Sequence, residues 1–262
     1  MEGQRARDRG HERDAGSALP VLTPRPGGPA ERFAHRFEGR HPALVFFAAL
    51  LLGFIVVAAL SIGLGLLVTE VFLKAGGVAS ADESFITTLV AERTPFLTDV
   101  SEVGSTVGSI VLSVLAAIVA IFFAFRRRWR IAAFAAFAPI VESGLYRVTS
   151  LADPRHRPEV NRLEDLPVNA SYPSGHTAAS IAVYAGLVLL VTSRITNPGA
   201  RAAAWAVAIL IPVFVALSRM YRGMHHPIDV AGGVLVGLGA ITILVFACRA
   251  AGAAEEYRRM DR

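Results

Sequence analysis

Six long apolar runs constrain the fold of this 262-residue chain more than any other feature of its sequence. The runs contain no charged residue apart from one glutamate in the third. They lie at about 43–69, 107–125, 131–146, 177–193, 202–218 and 230–248. A helix needs about 20 apolar residues to cross a bilayer, and the backbone polar groups must bond internally there. The sequence therefore predicts an all-α, polytopic membrane bundle with six transmembrane helices, in which the shorter runs include flanking polar residues.

The segments on either side of the six runs carry positive charge. The first 40 residues hold eight arginines together with prolines and glycines, and they lack the apolar core and cleavage site of a signal peptide. We expect a disordered basic cytoplasmic tail over 1–40, a six-span domain over 41–250 and a short cytoplasmic tail over 251–262. The basic tail is expected to contact anionic lipid headgroups and not nucleic acid. The single cysteine, Cys248, excludes an intrachain disulfide and is expected to be buried and inert.

The positions of the arginines predict the orientation of the spans. Arginines occur in the N-terminal tail, at 126–130, at Arg194 and Arg201, and at the C-terminus. These segments share one side of the membrane if the spans alternate, and the positive-inside rule makes that side cytoplasmic. The protein is thus expected in the cell membrane with both termini in the cytoplasm. The connections 74–106, 147–176 and 219–229 are then expected on the extracytoplasmic face.

The tetrapeptide Pro-Ser-Gly-His, with Ser174, Gly175 and His176, stands directly before the fourth apolar run. Glycine lets the backbone approach a ligand closely, and the first amide groups of a helix have no partners within it. A serine hydroxyl and free amides at the positive end of a helix suit a phosphate, and His176 adds a group that exchanges protons near neutral pH. Taken alone, the tetrapeptide is equally consistent with a helix start capped by Ser174.

Two further segments on the same predicted face carry groups that suit a phosphate. In SRMYRGMHHPID, His225 and Asp229 are one helical turn apart, with Pro227 in the first turn of the last span. The carboxylate is expected to reach one ring nitrogen and fix the tautomer, which leaves the other nitrogen as a nucleophile. In DPRHRPEV, Arg157 supplies a planar guanidinium that matches phosphate oxygens.

With these motifs the chain resembles the type 2 phosphatidic acid phosphatase (PAP2) superfamily. Its second motif, proline-serine-glycine-histidine, is intact at 173–176, and its third, serine-arginine-x5-histidine-x3-aspartate, is intact from Ser218 to Asp229. Its first motif, lysine-x6-arginine-proline, is half present, because Arg157 and Pro158 match but Ser150 stands at the lysine position. The resemblance extends from the first span to the end of the sixth.

The resemblance implies a metal-independent phosphatase without a cofactor that works through a phosphohistidine intermediate. It implies that His225 attacks phosphorus, that Asp229 supports it, and that His176 protonates the leaving oxygen and then activates water. It also implies that Arg157, Arg219 and the Ser174 and Gly175 amides hold the phosphate oxygens. A site at the boundary between apolar helices and water suits a lipid phosphate or diphosphate, such as a polyprenyl diphosphate. The residues do not choose among such lipids, and they do not indicate an oligomeric state.

Several alternatives to hydrolysis remain open at the level of sequence. The same site could transfer phosphate to a second lipid or sugar, or a six-span transporter or scaffold could retain the anion site without turnover. A metal site built on the histidines and Asp229 lacks an acidic cluster around it. Glu142, inside the third span, is either a functional residue or a structural partner for Arg147.

The missing lysine of the first motif requires another cation, because a phosphate carries nearly two negative charges. Arg147 ends the third apolar segment ten residues before Arg157, and we expect it to take the lysine's role, positioned by Glu142. Arg155 is the second choice. In an extended segment it points the same way as Arg157, but two adjacent guanidiniums repel each other until phosphate binds.

Overall fold

The computed structural model of the protein describes residues 19–74 and 76–260. This part of the chain is helical and contains no strand. A short 3₁₀ helix at Pro20–Leu22 precedes eight helices. These are α1 (Pro29–His35), α2 (Pro42–Phe72), α3 (Val78–Ala91), α4 (Pro95–Phe125), α5 (Trp129–Ala152), α6 (Gly175–Thr192), α7 (Pro198–Tyr221) and α8 (Pro227–Met260).

Six of these helices, α2 and α4 to α8, are long and apolar enough to cross a membrane, which confirms the predicted count. All six are longer than the apolar runs that predicted them. Helix α4 begins at Pro95 and not near 107, and α5 continues to Ala152. Arg147 therefore lies within a helix and does not mark its end.

The local sequence explains where many of these helices begin. Five of them start with a proline, namely Pro29, Pro42, Pro95, Pro198 and Pro227. Proline suits this position because its ring sets a helical φ angle and its missing amide hydrogen would have no partner there. Side-chain caps add to this signal: Thr94 Oγ1 accepts from the Leu97 amide at 3.2 Å, and Asn197 Oδ1 accepts from the Ala200 amide at 3.0 Å.

Helix α8 lies at the centre of the bundle and packs against α2, α5 and α6. Glycines on α8 permit the close approach of α6. A Cβ atom on Gly233 would lie 2.5 Å from the Ser174 carbonyl oxygen, and one on Gly237 would lie 2.7 Å from that of Ala178. The two backbones therefore touch at the N-terminal end of α6.

The N-terminal segment differs from the predicted disordered tail. Residues 1–18 lie outside the described residues, but α1 packs against α8, and Leu22, Ala30 and Ala34 are buried there. Arg249 Nε donates to the Val21 carbonyl at 2.8 Å. The prediction of disorder is wrong for residues 19–40. Despite the arginines of this segment, Leu22, Ala30 and Ala34 are buried where it packs against α8. The predicted C-terminal tail also differs, since α8 continues to Met260.

Candidate active site

Three segments meet at one end of the bundle. They are the connection 153–174 after α5, the first turn of α6, and the turn 222–226 between α7 and α8. A backbone hydrogen bond of 2.8 Å from the Ser174 amide to the Asp229 carbonyl joins the start of α6 to the start of α8. The two motifs that are intact in the sequence are thus adjacent in space.

The imidazole of His225 is buried, and its tautomer follows from one contact. Its Nδ1 lies 2.8 Å from the Ser171 backbone carbonyl, which can only accept a hydrogen bond, so Nδ1 carries the hydrogen. The Nε2 lone pair is then available, and it lies 3.4 Å from Arg157 Nη1. Burial lowers the pKa of His225 well below its usual value; Asp229 opposes this effect, and Arg157, Arg219 and His176 add to it. The ring is therefore neutral near pH 7.

This geometry corrects the expected role of Asp229. Its Oδ2 lies 3.9 Å from His225 Nδ1, beyond hydrogen-bond distance, so the Ser171 carbonyl fixes the tautomer instead. The carboxylate of Asp229 accepts from Ser171 Oγ at 2.5 Å, from the His226 amide at 2.8 Å and from Arg155 Nη1 at 2.5 Å. Asp229 thus fixes Ser171, and the Ser171 carbonyl in turn fixes the ring of His225.

Two arginines of the motifs approach His225 and are held rigidly. Arg157 donates from Nε, Nη1 and Nη2 to three backbone carbonyls, those of Pro167, Met224 and Ala170, at 2.8, 2.5 and 2.9 Å. Burial is the main cause of a lowered pKa for Arg157, which as an arginine still stays charged. The guanidinium plane is fixed beside the free nitrogen of His225.

Arg219 is fully buried and presents two N–H groups that have no acceptor. Its Nη1 donates to Ser105 Oγ at 2.5 Å and to both carboxylate oxygens of Glu164 at 2.7 Å. Its Nε and Nη2 are buried and have no hydrogen-bond partner among the described residues. A buried unpaired donor costs about 1–3 kcal/mol, and more when it is charged. The arrangement therefore favours an acceptor such as a phosphate oxygen next to His225.

Helix α6 begins within the Pro-Ser-Gly-His tetrapeptide, and the Ser174 side chain does not cap it. Ser174 precedes the first helical residue, Gly175, and its buried Oγ lies 3.0 Å from Thr177 Oγ1. His176 is half-buried on the first turn, and a Cβ atom added at Gly108 of α4 would lie 3.4 Å from its Cβ. The small residues of α4 thus let this helix approach the site, and Ser105 reaches Arg219 from there.

The structure contradicts the assignment of Arg147 to the site. Its side chain is exposed on α5, and this helix continues past it to Ala152. Glu142 is buried but does not partner Arg147; among the described residues it accepts one side-chain hydrogen bond, from Ser143 Oγ at 3.4 Å. Arg155, the second choice, is half-buried and pairs with Asp229 and with Asp82 Oδ2, the latter at 2.6 Å.

Sequence reasoning missed several residues of this site. These are Ser105, Ser171, Glu164, Asp82 and Glu83, all of which contact a motif residue or its neighbour. The acidic residues in the connections 74–106 and 147–176 were visible in the sequence, but nothing in the sequence showed which of them contact the motifs. Among residues 19–74 and 76–260, no group of three or more His, Cys, Asp or Glu is arranged to hold a metal ion.

Fold and site together define a polytopic helical membrane protein with a buried centre of histidines and arginines suited to an anion. Residues 129–251 match the model of the PAP2 superfamily. A crystal structure of a transmembrane PAP2 type phosphatidylglycerolphosphate phosphatase from Bacillus subtilis superposes with a TM-score of 0.59 at 26% identity, over 75% of this chain and 92% of that one. The matched segment, residues 129–251, belongs to the PAP2 superfamily.

Two curated proteins are similar to part of the chain. An undecaprenyl-diphosphatase of Sulfolobus acidocaldarius is 40% identical over 29% of this chain and 32% of its own length. The bacitracin transport permease protein BcrC of Bacillus licheniformis is 30% identical over 31% of this chain and 35% of its own length. The similarity thus spans about a third of each of these relatives.

Proposed function

We propose that the protein is an integral-membrane phosphatase that hydrolyses a lipid phosphate or diphosphate through a phosphohistidine on His225. The observation that carries the proposal is the position of the two unpartnered N–H groups of Arg219 in the same buried centre as the unprotonated Nε2 of His225. An anion bound by Arg219 and Arg157 would bring its central atom to the nucleophile. Phosphoryl transfer depends mainly on such positioning and charge stabilisation.

In the first step, the Nε2 lone pair of His225 bonds to phosphorus, and the bond from phosphorus to the lipid oxygen breaks. His176 gives a proton to that oxygen. Nδ1 keeps its hydrogen and continues to donate it to the Ser171 carbonyl, and the ring, which becomes positively charged, has Nδ1 3.9 Å from Asp229 Oδ2. The phosphorylated imidazole is therefore stabilised by groups that are in place before the reaction.

In the second step, a water oxygen bonds to phosphorus, the bond from phosphorus to nitrogen breaks, and His176 takes a proton from the water. Inorganic phosphate leaves, and both histidines return to their starting states. No metal takes part in this scheme, because the arginines supply the positive charge that the phosphate oxygens need. The membrane location of the site and the names of the relatives support a substrate whose organic part stays in the bilayer.

The test is to incubate the purified protein in detergent and EDTA with a panel of lipid phosphates and diphosphates and to measure released phosphate. His225→Ala and His176→Ala should each lose at least about a thousandfold in kcat, because one removes the nucleophile and the other the proton donor. His35→Ala is the matched control, since its side chain is 68% exposed and far from the motifs in the fold.

Activity of His225→Ala within about tenfold of the unchanged protein would sink the covalent mechanism. Products from the same incubations distinguish hydrolysis from transfer, because a transferase would move phosphate to an added lipid or sugar alcohol. If no lipid releases phosphate while the protein still binds vanadate, a non-catalytic anion-binding protein is the correct assignment.

A further inference from the structure

Helix α3 lies in the connection between α2 and α4, outside residues 129–251 that match the family model. Two adjacent acids on this helix, Asp82 and Glu83, both reach the turn at the start of α8. Asp82 is buried, and its Oδ1 accepts from the Ile228 amide at 3.2 Å. Glu83 accepts from the Glu159 amide at 3.1 Å through Oε1. Helix α3 is thus tied to both connections that form the site.

Arg155 joins Asp82 to the site. Its Nη2 pairs with Asp82 Oδ2 at 2.6 Å, and its Nη1 pairs with Asp229 Oδ1 at 2.5 Å. All three side chains are at most 10% exposed. Burial alone would lower the pKa of Arg155, but the two carboxylates raise it. Removing one member of such a buried group leaves uncompensated charge and is strongly unfavourable.

His226 joins Glu83 to the same carboxylate. Its Nε2 lies 2.8 Å from Glu83 Oε2, and its Nδ1 lies 3.3 Å from Asp229 Oδ2. A neutral imidazole carries one hydrogen and a protonated one carries two, so a ring between two carboxylates favours the protonated form. Burial lowers the pKa of His226, but Asp229 and Glu83 raise it above its ordinary value. The charged groups that face this ring are Asp229 on α8, Glu83 on α3 and Arg155 in the connection.

We propose that Asp82 and Glu83 are positioning residues for the reaction, Asp82 through Arg155 and Glu83 through His226. The inference rests on the proposed function. Both paths end on Asp229, which in turn accepts from the hydroxyl of Ser171, the residue whose carbonyl bonds His225 Nδ1. A displacement of about 1 Å at a reacting group can cost about a hundredfold in rate. Helix α3 therefore sets the orientation of the nucleophile without touching the substrate.

This arrangement also gives Arg155 a different role from the lysine of the first motif. Its two amino groups already pair with carboxylates, so Arg155 neutralises Asp229 and Asp82 and does not face the open N–H groups of Arg219. The positive charge for a phosphate would come from Arg157 and Arg219. Asp82 is then required because it keeps Arg155 against Asp229.

The experiment compares Asp82→Asn and Glu83→Gln with Glu92→Gln, an exposed acid next to the end of α3, in the phosphate-release assay. Asp82→Asn should lower kcat by about 10- to 100-fold with KM within about threefold, because the substrate contacts remain. Asp82→Glu should recover part of the loss. Glu83→Gln should move the alkaline limb of kcat to lower pH, because His226 then loses its proton earlier. Glu92→Gln should match the unchanged protein.

Asp82→Asn and Glu83→Gln with kcat within about twofold and an unmoved alkaline limb would overturn the proposal. A readout that needs no turnover is the imidazole NMR titration of His226, assigned with His226→Gln. Its pKa should fall in Glu83→Gln, and an unchanged titration would also overturn the inference. If the unchanged protein releases no phosphate from any lipid, the proposed function fails, while this titration still reports whether α3 holds the turn.

Discussion

The carboxylate of Glu164 lies against the guanidinium of Arg219, with both of its oxygens 2.7 Å from Nη1. Arg222 Nε also donates to Glu164, at 2.7 Å, and Ser105 Oγ does so at 2.9 Å. Burial would raise the pKa of Glu164, but the hydrogen bonds and charge of Arg219, with Ser105 and Arg222, lower it to about 2. An ionised carboxylate therefore fixes one edge of Arg219 and partly neutralises it.

We predict that Glu164→Gln strengthens the binding of inorganic phosphate. The substitution keeps the shape of the side chain but removes the negative charge that competes for Arg219. The inhibition constant of added phosphate should fall about tenfold, which corresponds to about 1.4 kcal/mol, and kcat should fall because product leaves more slowly. Asp165→Asn, at the exposed neighbouring residue, is the control and should leave product inhibition unchanged. Equal inhibition constants for Glu164→Gln and the unchanged protein would contradict the prediction.

Arg147 and Arg155, the two arginines that the sequence offered in place of the missing lysine, are expected to respond differently to substitution by alanine. Arg155→Ala leaves Asp82 and Asp229 buried without their cation, so kcat/KM should fall at least about a hundredfold, or about 2.7 kcal/mol. Arg147→Ala removes an exposed side chain and should stay within about threefold. The measurement is phosphate release from the best lipid substrate. A collapse of Arg147→Ala with a near-normal Arg155→Ala would restore the assignment made from sequence.

The contact between α8 and α6 predicts the effect of a single added methyl group. Gly233→Ala should lower the midpoint of thermal unfolding and reduce activity at least about tenfold, because its Cβ would meet the Ser174 carbonyl, a backbone atom that cannot move freely. Gly63→Ala is the matched control, since nothing lies within 4 Å of its added Cβ. The control should be neutral or slightly stabilising, because alanine favours helix over glycine by about 1 kcal/mol. Equal stability of the two variants would refute the close packing.

The lowered pKa of His225 predicts where activity is lost in acid. The ring attacks only when Nε2 is unprotonated. The nucleophile therefore stays available as the pH falls below 6.5, the ordinary pKa of histidine, and it is lost only when the pH reaches the lower pKa of His225 in the folded protein. The acid limb of kcat/KM should therefore lie below pH 6.5. The measurement is a pH–rate profile, with the ionisation of the lipid phosphate determined separately by phosphorus NMR. A limb due to the enzyme at or above that pH would exclude a lowered pKa.

The extracytoplasmic orientation that we predict for the site can be tested by labelling intact cells. In a Cys248→Ala background, which removes the buried free thiol, Ala152→Cys should react with an impermeant thiol reagent, and Ala200→Cys should not. Both positions are exposed in the structure, so accessibility to the reagent depends on the side of the membrane. Labelling after cell lysis is the control and should reach both. The reverse pattern would place the site in the cytoplasm.

The sequence alone determined the six spans and the helix start at Pro227, and it indicated the motif residues that suit a phosphate. These features are local, because apolar runs and proline positions act within one helix, and the motif spacings place their residues on the same turn. The sequence did not indicate that 19–40 would fold against α8, since its arginines suggested disorder.

Only the tertiary structure decided which groups touch. Asp229 and His225 are one helical turn apart in sequence, yet their side chains stay 3.9 Å apart, because the hydroxyl and carbonyl of Ser171 come between them from another segment. Arg155 pairs with Asp82, 73 residues away, and this contact depends on how α3 lies across the turn before α8. Spacing along a helix predicts which residues share a face. It does not predict which distant backbone fills the gap between two side chains, since that depends on how the helices pack.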